Sequence, residues 1–240
     1  MNKTPSEFRG WEYAKQGDYH RQPDPNWSYT ATYLRKMAHT RRWMRQLPLQ
    51  AAILDAGCGE GILVEEGRAQ NRDIVGLDLN YESDFVRRGD VCQMPFPKGS
   101  FDAVIFHDTF EHLPFDLQPK ALREIARVLK PGGKLLASIP NLAHMNSRFE
   151  FARRGRLDRT DSELDHPGER PLWENRRLIE EAGFSVSRVI GITLPLPFWY
   201  HRVFCRAPAR WKQAHDLLEP LAMRYPSLAM GNLFFARKSK

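Results

Sequence analysis

Ile53-Leu54-Asp55-Ala56-Gly57-Cys58-Gly59-Glu60-Gly61 is the stretch on which the reading of this chain turns. The apolar run Ala51-Ala52-Ile53-Leu54 stops abruptly at a carboxylate and alternating glycines. That pattern predicts a buried strand entering a tight turn that opens a helix. Glycines at such a turn let the backbone approach a ligand without side-chain obstruction. A dinucleotide site would want G-x-G-x-x-G, with its pyrophosphate on the helix N-terminus. Here the third glycine, Gly61, falls one position early and Ile62 follows it. Asp55 also stands just before the turn, where its charge would oppose a pyrophosphate and attract a cationic ligand. Spacing and charge both argue against a nicotinamide dinucleotide.

Outward from the turn the same texture repeats. Ile74-Val75-Gly76-Leu77 ends in Asp78, Ala103-Val104-Ile105-Phe106 follows, and Lys134 to Ile139 is a fourth apolar run. Between the last two, Gln118 to Leu129 reads as a helix that Lys130-Pro131-Gly132-Gly133 terminates before the next strand. Uniformly apolar strands alternating with helices predict an α/β fold, its parallel sheet covered on both faces. Upstream, a helix is expected from about Trp27 to Leu47, with Tyr33, Leu34, Met37, Met44 and Leu47 on its apolar face; residues 1–26 read as a loose arm. Downstream, Asn141 to Leu172 is polar and reads as an insertion. A helix from Trp173 to Ala182, a strand from Phe184 to Ile192, a helix from about Ala209 and a strand from Asn232 to Ala236 complete the expectation.

Taken in order, these segments resemble a class I S-adenosylmethionine-dependent methyltransferase with a type-11-like domain. D-x-G-x-G-x-G is followed by the acidic strand end Asp78, then by Gly89-Asp90-Val91-Cys92-Gln93-Met94-Pro95-Phe96. Ser100 to Ile105 and Leu122 to Gly133 continue the similarity. The resemblance covers residues 51–140. It implies a Rossmann-like, doubly wound, mostly parallel seven-stranded sheet with an N-terminal helical arm and an insertion after the fifth strand. It also implies a single domain over 1–240: an arm or lid at 1–50, a cofactor-binding core at 51–140 and an acceptor-binding portion at 141–240. The implied cofactor is S-adenosylmethionine. Gly57, Gly59 and Gly61 would pass beside its methionine part, with Asp55 near the ammonium. Asp78 would accept from the ribose hydroxyls, Leu79 would pack on the adenine, Asp90 would accept from the adenine amino group, and the Val91 backbone would meet the ring edge.

Methyl transfer from a sulfonium is an in-line displacement, so much of its catalysis is positioning. A general base is needed only where the acceptor must lose a proton. The segment after the fourth strand, Phe106-His107-Asp108-Thr109-Phe110-Glu111-His112, offers His107 and His112 as candidate catalytic groups. His144 and His166, in the insertion, are rivals. Asp108, Glu111 and His112 share one helical turn, but an acidic helix start reads as capping, and no metal site is expected.

Lys plus Arg is 36 and Asp plus Glu 29, a formal net charge of +7. The excess is uneven: residues 1–50 carry +5, residues 51–140 carry −4 and residues 141–240 carry +6. Between Glu181 and Asp216 there is no acidic residue, while Arg188, Arg202, Arg206, Arg210 and Lys212 alternate with Phe198, Trp199, Tyr200, Phe204 and Trp211. Arginine interleaved with aromatics suits an anionic membrane interface, and equally phosphate and base contacts with nucleic acid. A core-forming aromatic cluster with solvated arginines is the plainer reading. Three cysteines are too few for a disulfide framework. No apolar run approaches a membrane span, and Met1 to Glu12 has no signal-peptide character. The expectation is a cytoplasmic enzyme, peripheral at a membrane if the aromatic segment serves that end. It would methylate oxygen on a small-molecule, glycan or lipid-linked acceptor. The alternatives are an RNA methyltransferase using the basic flanks, for which the signal is weaker, and a non-catalytic S-adenosylmethionine-binding regulatory protein.

Overall fold

The computed structural model of the chain describes residues 27, 29–157, 166–207 and 210–239. The arm expected over residues 1–26 lies outside them. In chain order the elements are α1 (Thr30–Arg45), β1 (Ile53–Ala56), α2 (Ile62–Ala69), β2 (Ile74–Asp78), β3 (Val86–Arg88), β4 (Phe101–His107) and α3 (Gln118–Val128). There follow β5 (Leu129–Pro140), α4 (Met145–Arg154), α5 (Leu172–Glu181), β6 (Phe184–Ile192), α6 (Lys212–Arg224) and β7 (Gly231–Lys238). Among the described residues, a 3-10 turn at Phe110–His112 and a π turn at Tyr200–Phe204 interrupt the connections.

The strands form one seven-stranded sheet in the order β3-β2-β1-β4-β5-β7-β6. It is parallel from β3 to β5, whereas β7 runs antiparallel to both β5 and β6. The continuous apolar runs follow from this arrangement, since a central parallel strand is buried on both faces and alternate side chains leave in opposite directions. Leu54, Val104 and Leu135 pack with Leu122 and Ile125 of α3 and Ile179 of α5. Their neighbours Ile53, Ile105 and Leu136 pack on the opposite face with Tyr33, Met37 and Met44 of α1 and Val64 of α2. The strand order reverses between β1 and β4, which opens a crevice beyond their carboxyl ends.

Four expectations need adjustment. Helix α1 begins at Thr30 and buries Lys36, while Leu34 is exposed. Lys36 belongs to the buried stripe because it lies three residues beyond Tyr33 and four before Thr40. The Pro-Gly-Gly segment interrupts a strand already begun: Leu129 pairs with Phe101, pairing shifts register, and it resumes at Lys134 with Ala103. The short β3 has one buried residue out of three, too little pattern to announce a strand. The polar insertion contains α4, whose N-terminus is closed by the His144 side chain accepting from Ser147 N at 3.1 Å.

Candidate functional site

The turn after β1 is built from left-handed backbone, with φ of +73° at Gly57, +56° at Gly59 and +78° at Gly61. A side chain at Gly57 would have nowhere to go. Its Cβ would fall 2.1 Å from Thr109 Oγ1, so glycine is needed there for space as well as conformation. Gly57 N and Cys58 N donate to Leu77 O at 2.7 and 3.2 Å, which ties the turn to the end of β2.

Asp78, the last residue of β2, completes that tie. Its two oxygens accept from Gly59 N at 2.8 Å and Asn80 N at 2.9 Å. A carboxylate has about four lone-pair sites, so capacity remains for a vicinal diol. Gly89 N donates to Asp78 O at 2.8 Å, which brings the segment leading to Asp90 back beside this strand end. Asp90 Oδ1 accepts from Cys92 N at 2.7 Å in an Asx turn. Val91 is buried in the core and offers a ligand only its backbone, whereas Leu79 is 45% exposed. Together the glycine turn, Asp78, Leu79, Asp90 and Val91 fit a nucleoside cofactor with a short cationic arm. The close-packed glycine turn would face the arm, a diol acceptor the ribose, and a free apolar side chain the base.

Asp55 is 4% exposed. Burial pushes its carboxyl up to about 7; the nearby Lys36 charge opposes this rise and Asp78 adds to it. The Cys58 thiol is held far above its ordinary range, first by burial and then by Asp55 and Asp78, so it is no nucleophile.

Beyond β4 the chain turns sharply at Asp108, whose φ of +43° is unusual for a non-glycine residue. Such a conformation costs about 1–3 kcal/mol and persists where surrounding contacts impose it. The contacts here are Ser138 Oγ donating to Oδ1 at 2.7 Å, Tyr29 OH donating to Oδ2 at 3.0 Å, and Lys36 Nζ donating to the same Oδ2. Burial works against ionisation of Asp108, but Lys36, His107 and Ser138 together outweigh it, and the carboxyl is held well below the usual carboxylate range. Helix α1 thus lies across the strand ends and delivers the Lys36 cation to them, and Tyr29, just before its first turn, adds a phenol.

The candidate bases separate at this point. Burial, aided by Lys36 and opposed by Asp108, lowers the pKa of His107 to about 3, and its Nε2 lies 3.4 Å from Thr40 Oγ1. Such an imidazole stays neutral and is a poor proton acceptor at neutral pH. His144 is 3% exposed and occupied in capping α4. His112 and His166 meet instead, with ring centroids 4.6 Å apart. Glu111 joins them: its carboxylate and the two imidazoles place donor atoms within 4.8 Å of one another. Glu111 is 2% exposed and its Oε2 has no hydrogen-bond partner.

Lys36, Tyr29 and Ser138 were absent from the sequence reading. The signal for Lys36 was available as a lysine inside the apolar stripe of α1. His166 approaches His112 only through the tertiary fold.

Residues 54–137 match the family described as "Methyltransferase domain". A probable S-adenosylmethionine-dependent methyltransferase of Mycolicibacterium smegmatis is 34% identical over 152 residues, covering 58% of this chain and 54% of the relative. The ubiquinone biosynthesis O-methyltransferase of Xanthomonas oryzae pv. oryzae is 36% identical over 107 residues, covering 38% of this chain and 44% of that protein. The chain therefore spans about half the length of these curated relatives. Among solved structures, a methyltransferase of Thermotoga maritima described as a possible histamine N-methyltransferase superposes with a TM-score of 0.63. That likeness, at 15% identity over 97% of this chain and 99% of the other, is one of fold.

Proposed function

Since residues 54–137 belong to the methyltransferase-domain family, we propose that the chain transfers the methyl group of S-adenosylmethionine to an oxygen of a small, glycan or lipid-linked acceptor. The observation that carries the reading is Asp78 at the end of β2, bonded to the glycine turn and retaining acceptor capacity for a ribose diol. Asp55, with its carboxyl pushed up to about 7, would meet the ammonium of the cofactor.

In the proposed reaction the acceptor oxygen attacks the methyl carbon in line with the C–S bond. That bond breaks toward sulfur, S-adenosylhomocysteine leaves as a neutral thioether, and the acceptor proton is given up. An amine brings its own lone pair, but an alcohol or phenol must shed a proton. The cluster of Glu111, His112 and His166 would deal with that proton; His107, with its depressed basicity, would not. Acceptor choice falls to α1 and to residues 141–240. Phe198 and Trp199 remain exposed there, whereas Tyr200 and Phe204 pack in the core. Among the described residues no helix is long and apolar enough to cross a membrane, so contact with an anionic surface would be peripheral.

Asp55 makes cofactor binding pH-dependent. A bound ammonium would favour its ionised form, so binding below pH 7 must displace a proton. Affinity is expected to rise by up to about tenfold per pH unit toward 7 and to level off above it. In the free protein the sign is opposite. The folded state holds a proton between about pH 4 and 7 that the unfolded state has lost, so this group's contribution to stability falls across that window. Calorimetry of S-adenosylmethionine from pH 5.5 to 8.5 reads the first effect, and Asp55→Asn should flatten the curve.

The acceptor class is tested by incubating the protein with carbon-13-methyl S-adenosylmethionine and a cell extract, then examining the labelled products by NMR. Methoxy signals in the small-molecule or lipid fraction are expected. Label in N-methyl groups or in the RNA fraction would overturn the proposal.

A further inference from the structure

We propose that Glu111, His112 and His166 form a binding site for one divalent transition-metal ion, placed beside the strand ends where the acceptor would lie. One carboxylate and two imidazoles form a donor set suited to zinc, manganese or iron(II), and three protein ligands leave open positions for an exogenous oxygen. Their donor atoms already lie within 4.8 Å of one another. With bonds of about 2.1 Å, an ion would need them drawn together by on the order of 1 Å, which side-chain rotation can supply.

Three further observations point to a built site. Glu111 Oε2 is buried and lacks a hydrogen-bond partner, and a buried polar atom left without one is costly unless a ligand meets it. His166 Nδ1 lies 3.1 Å from Glu169 Oε1, and Glu169 is 1% exposed. With Nε2 as the ligating atom, this buried carboxylate on Nδ1 would fix the tautomer and hold the ring in orientation. The two segments that carry the donors are also fastened together. The fully buried Gln118 donates from Nε2 to Phe110 O at 3.1 Å, Leu113 O at 3.3 Å and Gly168 O at 2.7 Å. Gly168 N returns a bond to Glu111 O at 2.9 Å. A Cβ at Gly168 would fall 2.1 Å from Leu113 O, so these segments meet at the distance only glycine permits. Asp108 is not part of the set, because Lys36, Tyr29 and Ser138 occupy its carboxylate.

The role of the ion rests on the proposed methyl transfer, though its binding does not. An ion here would bind the acceptor hydroxyl and lower its pKa, so that the proton passes to water and the oxygen attacks the methyl carbon. His112 would then serve as a ligand rather than as a base.

The test is metal binding itself, read without turnover. Protein stripped with a chelator is titrated with Mn2+, free ion being counted by electron paramagnetic resonance, and with Zn2+ by calorimetry. One ion per chain is expected. His112→Ala and His166→Ala should each lower affinity at least about tenfold, and Glu169→Gln, which leaves all three donors in place, by about 10- to 100-fold. Their circular dichroism and S-adenosylmethionine affinity should be unchanged. Should an alanine variant fail to fold, Mn2+ added to the wild-type protein should broaden the imidazole resonances of His112 and His166 selectively. Absence of binding below millimolar Mn2+ and Zn2+, undiminished binding in a His112→Ala/His166→Ala double variant, or broadening elsewhere would overturn the site. Failure of methyl transfer with intact metal binding would instead overturn the proposed function.

Discussion

Asp78→Ala is expected to abolish measurable S-adenosylmethionine binding in calorimetry while leaving the circular dichroism unchanged. The carboxylate is asked to do two things at once. It holds Gly59 N and Asn80 N, and it is the proposed acceptor for both ribose hydroxyls. Hydrogen bonds to a charged group contribute about 1.5–3 kcal/mol each. Losing a pair to the ligand therefore costs about 3–6 kcal/mol, on the order of 10²- to 10⁴-fold in affinity. Loosening of the glycine turn adds to that. Asp78→Asn keeps one acceptor oxygen and should fall between the two. Affinity in Asp78→Ala within threefold of wild type would remove Asp78 from the cofactor site.

The second large effect is expected at Gly57. Gly57→Ala must place a methyl group 2.1 Å from Thr109 Oγ1 on backbone with φ of +73°. Gly155 offers the matching control, with φ of +70° and nothing within 4 Å of its would-be Cβ. Both alanine variants pay about 1–2 kcal/mol for a left-handed conformation, but only Gly57→Ala adds an overpacking cost of about 1–3 kcal/mol. At about 2–4 °C per kcal/mol for a chain of this size, Gly57→Ala should melt roughly 4–20 °C lower than wild type. Gly155→Ala should melt only about 2–8 °C lower. Gly57→Ala should also lose the cofactor, and Gly155→Ala should retain it. Adding Thr109→Ala should restore part of the stability of Gly57→Ala, since it removes the clashing atoms and leaves the strain. Equal melting points for the two alanine variants would show that the close approach of Thr109 is relieved without cost.

What could be read from the sequence, and what could not, follows from where each signal resides. The strands β1, β2, β4 and β5 were legible because burial on both faces leaves a continuous apolar run, ended by Asp55, Asp78 or His107. The glycine turn was legible because its chemistry is local. Left-handed backbone at Gly57, Gly59 and Gly61 needs those residues whatever surrounds them. The acceptor side was not legible, because its groups come together from distant segments. Lys36 and Asp108 are separated by 72 residues. Gln118 fastens Gly168 to the turn carrying Glu111 from 50 residues away. Glu111 does lie in the first turn of the 3-10 segment, as a helix-start carboxylate would, but sequence gives its position on that turn and not its burial. His107 and His112, alike in sequence, differ in surroundings: one is enclosed beside Lys36 and the other meets His166 edge to face.

Methyl transfer is measured by following label and leaving group together. The protein, methyl-labelled S-adenosylmethionine and a cell extract are incubated, and S-adenosylhomocysteine and labelled product are quantified over time. The expected result is equimolar growth of the two, absent with Asp78→Ala. Cofactor bound one to one, with neither S-adenosylhomocysteine nor labelled product formed from any extract fraction, would contradict the account and leave a binding protein in its place.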